Sequence, residues 1–220
     1  MKKVCLLASS LLLATQTLTF AQNSVEVSTP TAKPKHEIAF DLGAFTTPIM
    51  SKNYYGVNFD IQYYPKQKWA TGVSFSVAQH KISNPAGYSA QKPVLGYYEI
   101  AWANQYDLVQ KDKFRLGFNL NNGVVVGRLG DNANQEKYWT QYGYSKSPKK
   151  VAANYFYMLA AGLEAAVKVY SHNHYPDVYV TSKAQYRWTF GDARFGTARD
   201  FSGYYVGVGV ALIGFTDDEK

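Results

Sequence analysis

From His36 onward the chain alternates apolar residues with small or polar ones, and this period of two persists almost to its end. Tyr55, Val57, Phe59, Ile61 and Tyr63 stand against Gly56, Asn58, Asp60 and Gln62. Successive side chains of an extended chain point to opposite faces, so such a segment is a strand with one apolar and one wet face. Seven further segments follow the same rule. Taking alternate residues, their apolar faces run Ile38–Ala44, Thr71–Val77, Tyr98–Leu108, Phe114–Val126, Tyr155–Val169, Val178–Phe190 and Tyr204–Leu212, interrupted by Asn104 and Asn122. The opposite faces carry Glu37, Asp41, Ser74, Ser76, Gln105, Asn119 and a set of charges taken up below. An apolar exterior around a polar interior is the arrangement needed when the surrounding solvent is lipid. The pattern predicts an all-β fold over 36–216: an eight-stranded antiparallel up-and-down transmembrane β-barrel with a polar interior. An even strand number permits closure, and closure removes the hydrogen-bonding edge that hydrocarbon does not tolerate.

The connections alternate in length. Pro65–Lys68, Gln110–Lys113 and Ser171–Asp177 are short, whereas Thr46–Asn53, Gln79–Pro93, Arg128–Ala153 and Gly191–Gly203 read as longer loops. Outer-membrane barrels have short periplasmic turns and longer external loops, so both termini are expected in the periplasm. Aromatic residues near strand ends read as two interfacial girdles: Tyr63, Tyr64, Trp69, Tyr97, Tyr98, Tyr106, Phe114, Tyr170, Tyr175, Tyr179, Tyr204 and Tyr205.

Ahead of the barrel, Lys2 and Lys3 precede an apolar run from Val4 to Leu13 and the small-residue site Thr19-Phe20-Ala21. This is the form of a secretory leader, residues 1–21, and it is too short for a spanning helix. The Pro/Thr-rich stretch 22–35 reads as a flexible periplasmic segment, and 217–220 as a C-terminal tail. Cys5, the sole cysteine, falls in the leader, so the mature chain is expected to lack disulfides. The formal charge is +7, and losing Lys2 and Lys3 leaves about +5, scattered along the chain. Scattered charge of this size argues against a nucleic-acid partner.

The leader, the eight strands, the rhythm of turns and loops and the polar core resemble the small outer-membrane β-barrels of the OmpA/OmpX type. The leader ending in Ala21-Gln22 is similar to those of the outer-membrane β-barrel family of Bacteroidota-like bacteria. The closing strand, Tyr205 to Leu212, resembles the signal read by the barrel-insertion machinery, although the chain continues through Phe215 to Lys220. The resemblance implies contact with outer-membrane lipid and lipopolysaccharide, and with that machinery during assembly.

Candidate chemistry begins with the inward charges. Asp41, Asp60, Glu99 and Glu164 balance Arg115, Lys168, Lys183 and Arg187. An eight-stranded barrel is only wide enough for side chains or one small ligand, and buried charges must be paired. The expectation is an ion network that fills the lumen, with a gated pore as the sharper alternative. Ser76 and His80 lie on one strand about 13 Å apart at ~3.3 Å per residue, too far for a nucleophile and base unaided. No catalytic residue is assigned. His172 and His174 with Asp177 could hold a metal, but in a solvated turn such a trio is commonly unliganded, and neither metal nor cofactor is expected. Gly207-Val208-Gly209 lies within a strand and is no phosphate loop. Asn121-Asn122-Gly123 is expected to be a kink in one continuous strand.

The loop Arg128–Ala153 is the favoured functional surface. It carries Tyr138, Trp139, Tyr142 and Tyr144, then Lys146, Lys149 and Lys150, and aromatic residues beside basic ones suit protein or glycan contact. The alternative is that this stretch merely extends two strands as a hairpin. Arg194 and Arg199 in the last loop could meet lipid A phosphates. The sequence points to a non-enzymatic structural or interaction protein, or an accessory subunit of a larger outer-membrane or secretion complex, with a protein partner in that membrane. A lipid A-modifying enzyme and a small-ligand pore stand as alternatives. A soluble lipocalin-like carrier would need the Tyr/Val/Leu faces to point inward, overfilling the lumen.

Overall fold

The computed structural model describes residues 37–83, 87–172 and 175–215. The strands are β1 Glu37–Ile49, β2 Lys52–Lys66, β3 Trp69–Lys81, β4 Pro93–Lys111, β5 Phe114–Thr140, β6 Gly143–His172, β7 Tyr175–Phe190 and β8 Gly203–Phe215. Each pairs antiparallel with its neighbour in sequence, and β8 returns to β1 to close an eight-stranded barrel. The leader, the segment 22–35 and the tail 217–220 lie outside the described residues.

The alternation sets which way each strand faces. Phe59, Phe75, Ile100, Trp102, Phe118, Leu120, Tyr186 and Trp188 stand on the outside and are exposed, while Asn58, Asp60, Ser74, Ser76, Glu99, Asn119 and Gln185 between them are buried in the lumen. A continuous belt of large exposed apolar side chains far exceeds the patches that water-soluble monomers show, and it is stable only against lipid. The alternating faces that carry Tyr55, Val57, Phe59 and their counterparts therefore point outward, opposite to a soluble carrier. Asn121-Asn122-Gly123 runs through β5 with regular pairing to β4 and β6 and no register shift there.

Strand ends depart from the expected loops. The segment Thr46–Asn53 is not a loop: β1 and β2 continue to a two-residue turn at Met50 and Ser51, which take φ of 47° and 63°. Left-handed residues at both central positions give the turn whose twist matches paired strands, here without the usual glycine. A hydrogen bond from Met50 N to the Asp200 carbonyl at 2.8 Å holds it from the neighbouring loop. Arg128–Ala153 takes the second of its two expected forms, a hairpin extending β5 and β6 with its tip at Gln141-Tyr142. From the Arg128–Ala153 pair to the Thr140–Gly143 pair it spans roughly 30 Å at the usual strand rise.

The lumen is polar only over part of its length. At the end carrying the long hairpin it is apolar, filled by Phe45, Ile49, Tyr54, Leu95, Leu129 and Phe156 with Phe195 and Phe201 from the β7–β8 loop. A charged layer follows. Near the chain termini Tyr64, Tyr179, Ala211 and Ile213 form a second, smaller cluster. Tyr64, Tyr97, Tyr179 and Tyr205 are thus lumen residues and not girdle residues. In each of the pairs Tyr63-Tyr64, Tyr97-Tyr98 and Tyr204-Tyr205, one ring faces out and its neighbour must face in.

Candidate functional site: a sealed mouth beneath a projecting hairpin

The charged layer is built by side chains that the pleat aims inward. Lys183 on β7 reaches Asp60 at 2.5 Å and Glu164 at 3.2 Å. Arg115 meets Glu37 at 2.9 Å and lies 4.0 Å from Asp107, with its guanidinium 5.4 Å from the ring centres of both Tyr64 and Tyr179. Asp41 has no cation as its direct partner among the described residues and accepts a hydrogen bond from Thr181 Oγ1 at 2.6 Å. Lys168 sits at the terminal rim, paired with Asp177 at 2.5 Å. Parity alone could have supplied Glu37 and Asp107 as members of this network. A cavity of about 10 Å³ between Asp41, Asp60, Gln62 and Glu164 leaves room for one water.

Arg187 is fully buried and joins the charged layer to the apolar one. Its Nη1 donates to Glu99 Oε2 at 3.2 Å and to the Tyr97 hydroxyl, which in turn donates to Glu99. Its Nη2 donates to Thr47 Oγ1 at 3.0 Å, and its Nε donates to the Phe201 carbonyl at 3.0 Å. Several bonds to a planar fork fix the guanidinium, and the burial of Glu99 is offset by this pairing.

Phe201 belongs to the long loop Gly191–Gly203 expected outside the barrel, and this loop folds into the mouth. A single 3-10 turn at Ala198–Phe201 carries it. Asp200 Oδ2 accepts from Thr197 N at 2.7 Å and from Thr197 Oγ1 at 2.9 Å, closing that turn. Asn154 on β6 brackets the loop, accepting from Arg194 N at 2.7 Å and donating to the Phe195 carbonyl at 2.5 Å. The Phe201 ring packs 4.8 Å from Phe156 and 6.2 Å from Phe195. Gly127 makes the fit possible: a Cβ there would lie 2.5 Å from the Phe201 ring. Arg194 and Arg199 are exposed on the solvent side of this plug.

Above the plug the β5–β6 hairpin brings the predicted aromatic and basic residues together. Trp139 faces Tyr144 across the strands, with rings 4.6 Å apart and nearly perpendicular. Tyr138 lies opposite Ser145. Tyr142, at the tip, is 92% exposed. Thr140 Oγ1 donates to the Gly143 carbonyl at 2.8 Å and stiffens the turn. Lys146 lies opposite Lys137, Lys149 opposite Asp131 and Lys150 opposite Gly130. At the hairpin's base the Asp131 carboxylate accepts from Lys92 N at 2.9 Å, Ala133 N at 3.0 Å and Asn134 Nδ2 at 2.8 Å. These bonds, the one from Lys92 first, lower the Asp131 pKa to about 2.

His80 is not brought to the candidate nucleophile Ser76. His80 packs its ring 5.2 Å from that of Tyr54, while Ser76 is buried in the lumen. The metal reading of His172 and His174 falls outside the described residues, since nothing is described of either side chain.

No family model matches the chain, and no curated protein sequence matches it. Among solved structures it is similar to Neisserial surface protein A, at 9% identity and a TM-score of 0.51, over 83% of this chain and 97% of that one. It also aligns with Ail, the attachment invasion locus protein of Yersinia pestis in complex with the heparin analogue sucrose octasulfate, at 14% identity, over 82% and 97% of the chains, with a TM-score of 0.43. A third alignment is to the N-terminal β-barrel domain of Pseudomonas aeruginosa OprF, at 11% identity, over 80% and 96%, with a TM-score of 0.36. At these identities the likeness to the Neisserial protein shows the fold alone, that of a small eight-stranded outer-membrane β-barrel.

Proposed function

We propose that this barrel is a non-enzymatic docking protein of the outer membrane, with both termini in the periplasm and the β5–β6 hairpin projecting outside to engage a protein partner. The observation that carries the reading is the pairing of a filled lumen with a long, stiffened hairpin that presents Tyr138, Trp139, Tyr142 and Tyr144 to solvent. Exposed aromatic rings with few rotatable bonds lose little entropy when covered, and with flanking Lys146 and Lys149 they make an anchor for an acidic or glycan-bearing surface. A barrel so filled has little to offer as a pore, and its function is best placed on its surface. An accessory subunit of a larger surface or secretion complex is the form of this role that the hairpin suits best. The β8–β1 seam, which joins the two ends of the barrel, is the edge the barrel-insertion machinery would handle.

The test has two parts. The mature chain is expected to lack cysteine, so Tyr142→Cys introduces a single thiol; labelling of intact cells by a membrane-impermeant maleimide is expected, and absence of labelling overturns the orientation. Affinity purification of the tagged protein from its own membrane is then compared with a variant whose hairpin is cut back to a two-residue turn. A stoichiometric partner kept by the first and lost by the second is the expected result. Identical recoveries from both overturn the role of the hairpin.

A further inference from the structure

On the outer wall of the barrel a cleft of about 420 Å³ straddles the line where apolar residues give way to charge. Its floor is Tyr98, Val126, Ala153 and Tyr155, outward apolar residues of β4, β5 and β6 at the foot of the hairpin. Its rim is Arg128 and Lys150, with Glu136 arching over from the hairpin. Arg128 is the next outward position after Val126. Lys150 is not where simple alternation would place it. Leu129 pairs with Ala152 but Gly130 pairs with Lys150, so Val151 is an extra residue, and the bulge turns Lys150 to the same face as Arg128. Re-aiming a side chain is the characteristic effect of such an insertion. A second irregularity, between Asp131 and Gln135 on β5, brings Glu136 back over the wall.

We infer that this cleft binds the phosphorylated headgroup of a lipid in the leaflet around the hairpin end. The inference rests on the outward orientation of the hairpin proposed above, which the maleimide labelling decides separately. Three features select this occupant. The floor is continuous with the lipid-facing belt, so an acyl chain that reaches the headgroup already lies against Val126 and Tyr155, the latter 61% exposed. The rim carries two cations and one acid, and neither Arg128 nor Lys150 enters an ion pair among the described residues. The Arg128 guanidinium is steadied by one bond from Nη2 to the Pro148 carbonyl at 3.3 Å, which leaves other donors of its fork for a phosphate. Basic groups just above an aromatic girdle meet the membrane where phosphates sit. A water-soluble anion would gain nothing from the floor. Arg194 and Arg199, on the plug, stand over the mouth and lack such a wall.

The protein folded in detergent is titrated with bis-phosphorylated lipid A, with the fully dephosphorylated form and with inorganic phosphate, and bound species are counted by native mass spectrometry. The phosphorylated form is expected to bind about tenfold more tightly than the dephosphorylated one, the worth of a charge-assisted contact. Arg128→Gln combined with Lys150→Gln should erase that preference. Glu136→Gln should strengthen it, so a result of opposite sign guards against misfolding of the first variant. Equal binding of both lipids, or a preference that survives the double substitution, overturns the proposal. Displacement of lipid A by millimolar inorganic phosphate overturns it as well, since the site would then recognise the anion alone.

Discussion

Arg187 Nε donates to the backbone carbonyl of Phe201 at 3.0 Å, so the residue that neutralises the buried carboxylate of Glu99 also holds down the plug. Arg187→Met should therefore do two things at once. It strands Glu99 in the barrel, at a cost of about 3–5 kcal/mol, and it frees the last loop. Urea unfolding in lipid vesicles would read the first effect, and protease cutting near Arg199 the second. Arg187→Lys should rescue little, because a single ammonium cannot reach Thr47, Glu99 and Phe201 together.

Gly127 and Phe201 should behave as a coupled pair. Gly127→Ala sets a methyl 2.5 Å from the ring and is expected to destabilise the barrel by about 1–3 kcal/mol through overpacking. In a Phe201→Ala background the same methyl fills the vacated space, and its cost should vanish or reverse. A double-mutant cycle measured by urea unfolding decides this, and simple additivity would mean that the ring does not sit against Gly127.

Removing the plug should not open a pore. With residues 194–201 replaced by a short turn, Lys183, Asp60, Glu164, Arg115 and Glu37 still occupy the middle of the lumen. Planar bilayer recordings of that variant are expected to stay at background conductance. Stepwise currents would show that the apolar layer alone makes the seal.

At the hairpin base, Asp131 should show a titration displaced downward. Its folded pKa, about 2, lies below the ordinary value of 3.8. The ionised carboxylate's contribution to order is therefore complete above the ordinary value and is lost as the pH falls through about 2. Amide exchange at Lys92 and Ala133 followed with pH should report that window. Protection already lost near 4 would mean that these N–H groups do not reach the carboxylate. Asp131→Asn should weaken their protection wherever the wild-type carboxylate is ionised, above about pH 2.

Much of the barrel was legible because a lipid-facing strand has no freedom of parity: once Phe59 faces out, Asp60 must face in. The same rule, followed strictly, would have placed Tyr64, Tyr97 and Tyr205 in the lumen. Reading them as girdle residues followed residue type where position decided. The plug was not legible, since Phe195 and Phe201 sit in a segment with no period, and a loop is ordinarily a surface. The Met50–Ser51 turn hid for a related reason, as neither residue signals a left-handed backbone. The bulge at Val151 lies beside Ala152 and Ala153, two small residues that mask the change of face, so the cleft formed by Arg128 and Lys150 had no trace in the alternation.

The position of the plug along the chain has a bearing on assembly. Phe195 and Phe201 lie between β7 and β8, and the Arg187 clasp reaches Thr47 on β1, across the place where first and last strands meet. A chain inserted from β1 onward thus carries an unfilled mouth until its final strand docks. In that order of assembly, filling the mouth and zipping the seam become one late event, and an intermediate that stalls before it would expose both a free strand edge and an open apolar rim.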